Sequence, residues 1–147
     1  MEKTVIIYAS THHGSTRKLV EAIAEKYDIT LIDAAKQQWT DLTEYDLIGF
    51  ASGINFGKFY GSVEQFLKNN LSENKRVFFL YTCAKVSSRF TESIRAEAVK
   101  KGAVLLGEYG CRGYNTYGPW KVIGGMNKNH PTEDEQNDAV RFFETLI

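Results

Sequence analysis

Apolar residues fall along this chain in two alternating rhythms. Short runs rich in β-branched and aromatic side chains occur at Thr4–Ala9, Ile29–Asp33, Asp46–Ala51, Arg76–Thr82 and Val104–Cys111. Runs of this length and composition predict buried strands. The stretches between them carry apolar residues at helical spacing. Leu19, Val20, Ile23, Ala24 and Tyr27 share one face, Tyr60, Val63, Phe66 and Leu67 a second, and Phe90, Ile94 and Ala98 a third. A last helix carries Ala139, Phe143 and Leu146, and Thr132-Glu133-Asp134-Glu135 at its start has the spacing of a capping box. Ala34–Tyr45, with only Trp39 and Leu42 to bury, predicts at most a short helix.

Strands alternating with helices imply a parallel sheet covered on both faces. Right-handed crossovers then bring the loops after the strand C-termini to one edge, and ligands in such sheets bind there, where the strand order reverses. The 147 residues show no internal repeat or linker, which predicts one domain over residues 1–147. Eighteen basic and eighteen acidic side chains cancel, so no global field recruits nucleic acid or an anionic membrane. The apolar runs are far too short to span a bilayer, and Met1-Glu2-Lys3 leads into a strand pattern without a signal-peptide core. The expectation is a cytoplasmic, monomeric protein.

Three loops at the binding edge carry candidate chemistry. The first, Ser10-Thr11-His12-His13-Gly14-Ser15-Thr16, joins the first strand to the first helix. Gly14 can adopt backbone angles other residues avoid, and the helix that follows has free N–H groups and a dipole favouring an anion. The hydroxyls of Ser10, Thr11, Ser15 and Thr16 add neutral donors. The loop lacks the lysine and second glycine of a nucleoside-triphosphate loop and is not G-x-G-x-x-G. A phosphate monoester fits it best. Adjacent in an extended loop, His12 and His13 point opposite ways, so joint metal ligation is not expected.

The second loop follows the third strand and reads Ser52-Gly53-Ile54-Asn55-Phe56-Gly57, then Lys58, Phe59 and Tyr60. Its glycines allow close backbone approach to a ligand, and its aromatic faces suit a planar ring. The third, Thr82-Cys83-Ala84-Lys85-Val86-Ser87-Ser88, is small and polar, suited to a ring edge. Cys83 reads as a small packed residue and Cys111 as core, with no disulfide between them. Between Arg112 and Pro131, Tyr114, Tyr117 and Trp120 are candidates for covering a ligand or meeting a partner.

The first loop with its strand and helix, and "DLIGFASGINFGKFYGSVEQFL" after it, resemble the flavodoxin family over essentially the whole chain. The resemblance implies a flavodoxin-like three-layer sandwich: a five-stranded parallel sheet of order 2-1-3-4-5 with helices on both faces. It also implies non-covalently bound FMN and electron transfer between redox partners, a reductase and an acceptor. Ser10, Thr11, His12, His13, Gly14, Ser15 and Thr16 would then hold the FMN phosphate. Ser52, Gly53, Ile54, Asn55, Phe56 and Gly57 would contact one side of the isoalloxazine, and Thr82, Cys83, Ala84 and Lys85 the other. The Phe56–Gly57 peptide would stand near the ring's N5, where Gly57 would make a flip of that peptide cheap.

Some features depart from the family pattern. The first loop has one more residue before its glycine, His13 stands where a threonine is expected, and the chain is neutral where flavodoxins are acidic. Nothing aromatic lies within Thr82–Ser88. The longer loop also resembles flavodoxin-fold protoporphyrinogen oxidases, so an FMN-dependent oxidoreductase is the alternative to a carrier, and a flavin-free binding module a third. Lys58 and Lys85 would make the reduced flavin less strongly reducing than in an acidic flavodoxin.

Overall fold

The computed structural model describes residues 3–10, 14–113 and 130–147. The main sheet contains β1 (Thr4–Ala9), β2 (Ile29–Asp33), β3 (Leu47–Asn55), β5 (Arg76–Cys83) and β6 (Val104–Arg112). All pair in parallel, in the order β2-β1-β3-β5-β6. Counted as the five long strands, this is the expected order 2-1-3-4-5. A sixth strand, β4 (Lys58–Phe59), was not anticipated; it folds back antiparallel on β3, pairing Ile54 with Phe59 and Asn55 with Lys58. β3 therefore runs four residues beyond the apolar run that marked it: Ser52 and Gly53 continue the parallel pairing with β5, and Ile54 and Asn55 form one arm of this hairpin.

Helices α1 (Ser15–Ala24), α2 (Gly61–Asn70), α3 (Glu92–Lys100) and α4 (Glu133–Glu144) cover the sheet. Successive strand side chains face opposite ways, so each strand feeds two cores. Val5, Ile7, Ile48, Phe50, Val77 and Phe79 pack with Val63, Phe66 and Leu67 of α2 and Ile94 and Ala98 of α3. Ile6, Leu47, Ala51, Phe78 and Leu80 pack with Leu19, Val20 and Ile23 of α1 and Ala139, Val140 and Phe143 of α4. Each such side chain contributes roughly 1.5–3 kcal/mol on burial, which is why these strands read as nearly continuous apolar runs. α4 opens with the expected capping box: the Thr132 hydroxyl accepts from the Glu135 N–H at 3.2 Å, and the Glu135 carboxylate accepts from the Thr132 N–H at 2.9 Å.

Residues 34–45 form turns rather than a helix. Side chains satisfy their backbone instead. The Asn70 carboxamide donates to the Gln38 carbonyl at 2.8 Å and accepts from the Thr40 N–H at 3.0 Å. Asp33 and Asp41 accept from the N–H groups two residues on, Ala35 and Thr43, each at 2.9 Å. With both strong local competitors in place, helix formation would gain little.

Candidate functional site

The strand order reverses between β1 and β3. Outside their carboxyl ends lie the start of α1, the β3–β4 hairpin and the segment after β5. The backbone at Gly14 is left-handed, φ 66°, and turns the chain from β1 into α1. A non-glycine residue pays about 1–2 kcal/mol for that conformation. The Ser10 hydroxyl reaches across the loop to accept from the Arg17 N–H at 3.4 Å. Gly14 has no side chain with which to cap α1, and the first turn contains no carboxylate to compete with an anion. Ser15 and Thr16 are buried, and the Thr16 hydroxyl lies 2.9 Å from that of Thr82. This end of the site is built from small, neutral, hydrogen-bonding groups at a helix N-terminus. Thr11, His12 and His13 lie outside the described residues, as do Tyr114, Tyr117 and Trp120.

The second segment is a two-residue hairpin. Phe56 and Gly57 form its turn with φ of 53° and 78°, closed by the Asn55–Lys58 pair. Positive φ at both central residues is what a type I′ turn requires, and this turn matches the twist of the strands it joins. Phe56 is 96% exposed at the tip. Ser52 is fully buried; its hydroxyl donates to the Gly53 carbonyl at 2.5 Å and accepts from the Tyr60 N–H at 2.9 Å. Gly53 is hemmed in by the Tyr60 ring, whose hydroxyl would stand 2.6 Å from a Cβ there. Ile54 is half-buried, while Asn55, Gly57 and Lys58 are exposed.

In the third segment Ala84 is half-buried and Lys85 exposed, while Thr82 and Cys83 are buried. The Cys83 thiol donates to the Cys111 carbonyl at 3.6 Å, and burial pushes its pKa from 9.0 up to about 12. Cys111 sits opposite Thr82, so the two cysteines face opposite sides of the sheet, and both are free. Both thiols are held protonated at neutral pH by burial. Tyr81, on the same side of the sheet as Cys83, packs with Phe59 at 6.3 Å and Phe90 at 6.1 Å, and its hydroxyl donates to the Ser87 carbonyl at 3.1 Å. This aromatic chain joins the β4 hairpin to the short 3₁₀ turn Ser88–Thr91. Lys58 and Arg89, each adjacent to one of these rings, and Lys85 are all exposed.

A cavity of about 530 Å³ lies elsewhere, at the opposite edge of the sheet, between Tyr27, Ile29, Tyr45 and Phe143. It contains none of the candidate residues, and the Lys3–Glu44 ion pair, 3.3 Å long, stands at its rim. Among the described residues no cluster of three His, Cys, Asp or Glu side chains could hold a metal, and no helix is long and apolar enough to cross a membrane.

Topology and site together define an open α/β sheet with a hydroxyl-lined helix N-terminus and a glycine-aromatic hairpin at its reversal point. The flavodoxin domain model matches residues 5–111, and the chain belongs to the flavodoxin family. An uncharacterized protein of Methanocaldococcus jannaschii is 38% identical over 147 residues, covering 99% of this chain and 98% of that one. Oxidised flavodoxin 2 of Bacillus cereus shares the fold, with a TM-score of 0.66 over 99% of each chain at 19% identity. So does a flavoprotein of Lactobacillus acidophilus solved in complex with FMN, with a TM-score of 0.57 at 20% identity, covering 76% of this chain and 93% of that one.

Proposed function

We propose that this protein binds FMN without a covalent bond and carries electrons between redox proteins in the cytoplasm. The observation that carries the reading is the donor set at the start of α1. A left-handed Gly14 opens a helix N-terminus lined by hydroxyls and free of carboxylates in its first turn, which suits a phosphate monoester. Ser10, Gly14, Ser15 and Thr16 would hold that phosphate, together with Thr11, His12 and His13. The hairpin residues Gly53 to Gly57 would lie along one side of the ring, with the exposed face of Phe56 available to it, and Ala84 and Lys85 would approach its other side.

FMN, when bound, supplies the electron chemistry; the protein supplies binding, orientation and electrostatics. Lys58, Lys85 and Arg89 are exposed beside the proposed ring edge, and residues 52–63 and 81–91 contain no carboxylate. Positive groups there favour negative charge on the bound group and raise its reduction potential relative to acidic surroundings. They also favour redox partners that present an acidic surface, and the exposed Phe56 and Val86 give the same face apolar contact.

Purification tests the reading directly. The protein is expected to be yellow, to release FMN on denaturation, and to pass electrons from a reductase to a protein acceptor without turning over a small substrate. Purified protein that neither retains nor rebinds FMN refutes it. Steady turnover of a quinone or tetrapyrrole without a second protein would replace the carrier with an oxidoreductase of the same fold.

A further inference from the structure

The family resemblance placed Thr82 against the flavin ring. The alternation along β5 places its side chain elsewhere. Tyr81 and Cys83 belong to the core beneath α2 and α3, whereas their neighbours Phe78 and Leu80, on the parity of Thr82, face α1 and α4. The Thr82 hydroxyl accordingly meets the Thr16 hydroxyl of α1, 2.9 Å away, with Thr16 1% and Thr82 5% exposed. Gly113 closes the same junction. Its N–H donates to the Cys83 carbonyl at 2.9 Å, and a Cβ on it would stand 2.9 Å from the Thr82 Cβ and 3.0 Å from the Ser15 Cβ. The first turn of α1 is thus seated on the ends of β5 and β6 at a point where no larger residue fits.

We propose that Thr82 is a positioning residue for the phosphate end of the site, acting through Thr16, and is not a contact of the ring. This rests on the FMN reading above. A hydroxyl donates one proton and accepts at two lone pairs. An anion can only accept, so a Thr16 hydroxyl that donates toward it must take the Thr82 proton at its own oxygen. Thr82 thereby fixes the direction of the Thr16 O–H, and the junction fixes the height of the first-turn N–H groups. Gly113 leaves the space in which the two threonines meet.

Riboflavin has the ring and ribityl chain of FMN but no phosphate, so comparing the two isolates this end of the site. Apo-protein titrated with each flavin, followed by flavin fluorescence, is the assay. Thr82→Val keeps the shape and removes the hydroxyl; it is expected to weaken FMN binding about tenfold, the effect of one hydrogen bond, and to leave riboflavin binding unchanged. Thr82→Ser is expected to restore FMN binding. Gly113→Ala presses on the junction from the other side and is expected to show the same selective loss, giving a second route should the valine variant fold poorly. Equal weakening of both flavins by Thr82→Val, unchanged FMN binding, or failure of Thr82→Ser to restore it would overturn the assignment. Wild-type protein that binds neither flavin would instead overturn the FMN reading itself.

Discussion

Tyr81 and Gly110 stand directly opposite one another on β5 and β6, and the tyrosine ring occupies the space where a side chain at 110 would begin. A Cβ there would lie 2.1 Å from Cζ, 2.3 Å from Cε2 and 2.6 Å from Cε1 of the ring. Ordinary contact begins at 3.4 Å, so Gly110→Ala requires the ring to retreat by about 1.3 Å. Tyr81 is 2% exposed and wedged between Phe59 and Phe90, so the retreat is opposed on the far side. Overpacking of this kind costs about 1–3 kcal/mol. Loss of the Tyr81 hydroxyl bond to Ser87 adds about 0.5–1.5 kcal/mol, while alanine in place of a strand glycine returns about 0.5–1 kcal/mol. The expected net loss centres on about 2 kcal/mol, read as a lower urea midpoint of the apo-protein at unchanged slope. In a Tyr81→Ala background the alanine at 110 should cost nothing further, because the obstructing ring is gone. A Gly110→Ala variant within about 0.5 kcal/mol of wild type, or equal costs in both backgrounds, would refute this account of the pair.

Three other outcomes are expected. Thr132→Ala removes half of the α4 capping box and should lower stability by about 1 kcal/mol in urea unfolding, whereas Thr132→Ser should lie close to wild type. Burial raises the Cys83 pKa from 9.0 to about 12 and the Tyr81 pKa from 10.0 to about 12; the unfolded chain loses these protons first, so their contribution is complete below pH 9 and falls away as pH rises toward 12. Urea unfolding at increasing alkaline pH should show that decline, less steep in Cys83→Ala, and a thiol reagent at neutral pH should label neither cysteine until the protein unfolds. Phe56→Asn puts a residue tolerant of positive φ at the exposed hairpin tip and should raise stability by about 0.5–1 kcal/mol; a thermal midpoint below wild type would contradict the strain assigned to Phe56.

The fold was legible because the central strands β1, β3 and β5 are buried on both faces and each helix on one, so burial wrote itself into the apolar rhythm. Thr4–Ala9 matches its predicted bounds for that reason, and Ile29–Asp33, a half-buried edge strand, matches through its β-branched composition. The rhythm fails where side chains outside the segment provide the hydrogen bonds. Residues 34–45 form turns held partly by Asn70, some thirty residues further on. The hairpin was missed because Asn55–Lys58 carries little burial, although Phe56-Gly57 between two arms was the available turn signal. At the site, residue types pointed to the hydroxyl-lined helix N-terminus, but not to how each hydroxyl is used. Ser52 turns inward to its own loop and Thr82 across to α1, and both outcomes depend on side-chain direction in the folded sheet.

The hairpin tip has a consequence for how the protein could respond to a bound ring. A type I′ turn becomes type II′ by rotating its central peptide, and the II′ form calls for glycine at the first central position. Here that position holds Phe56; Gly57 comes second. The flip that Gly57 was expected to ease therefore falls on the residue least able to follow it. With phenylalanine at the first central position the turn chemistry favours the I′ setting over the II′ one. On the FMN reading proposed above, charge gained or lost at the ring would be answered by the side chains around it, with the exposed Lys58 and Lys85 foremost.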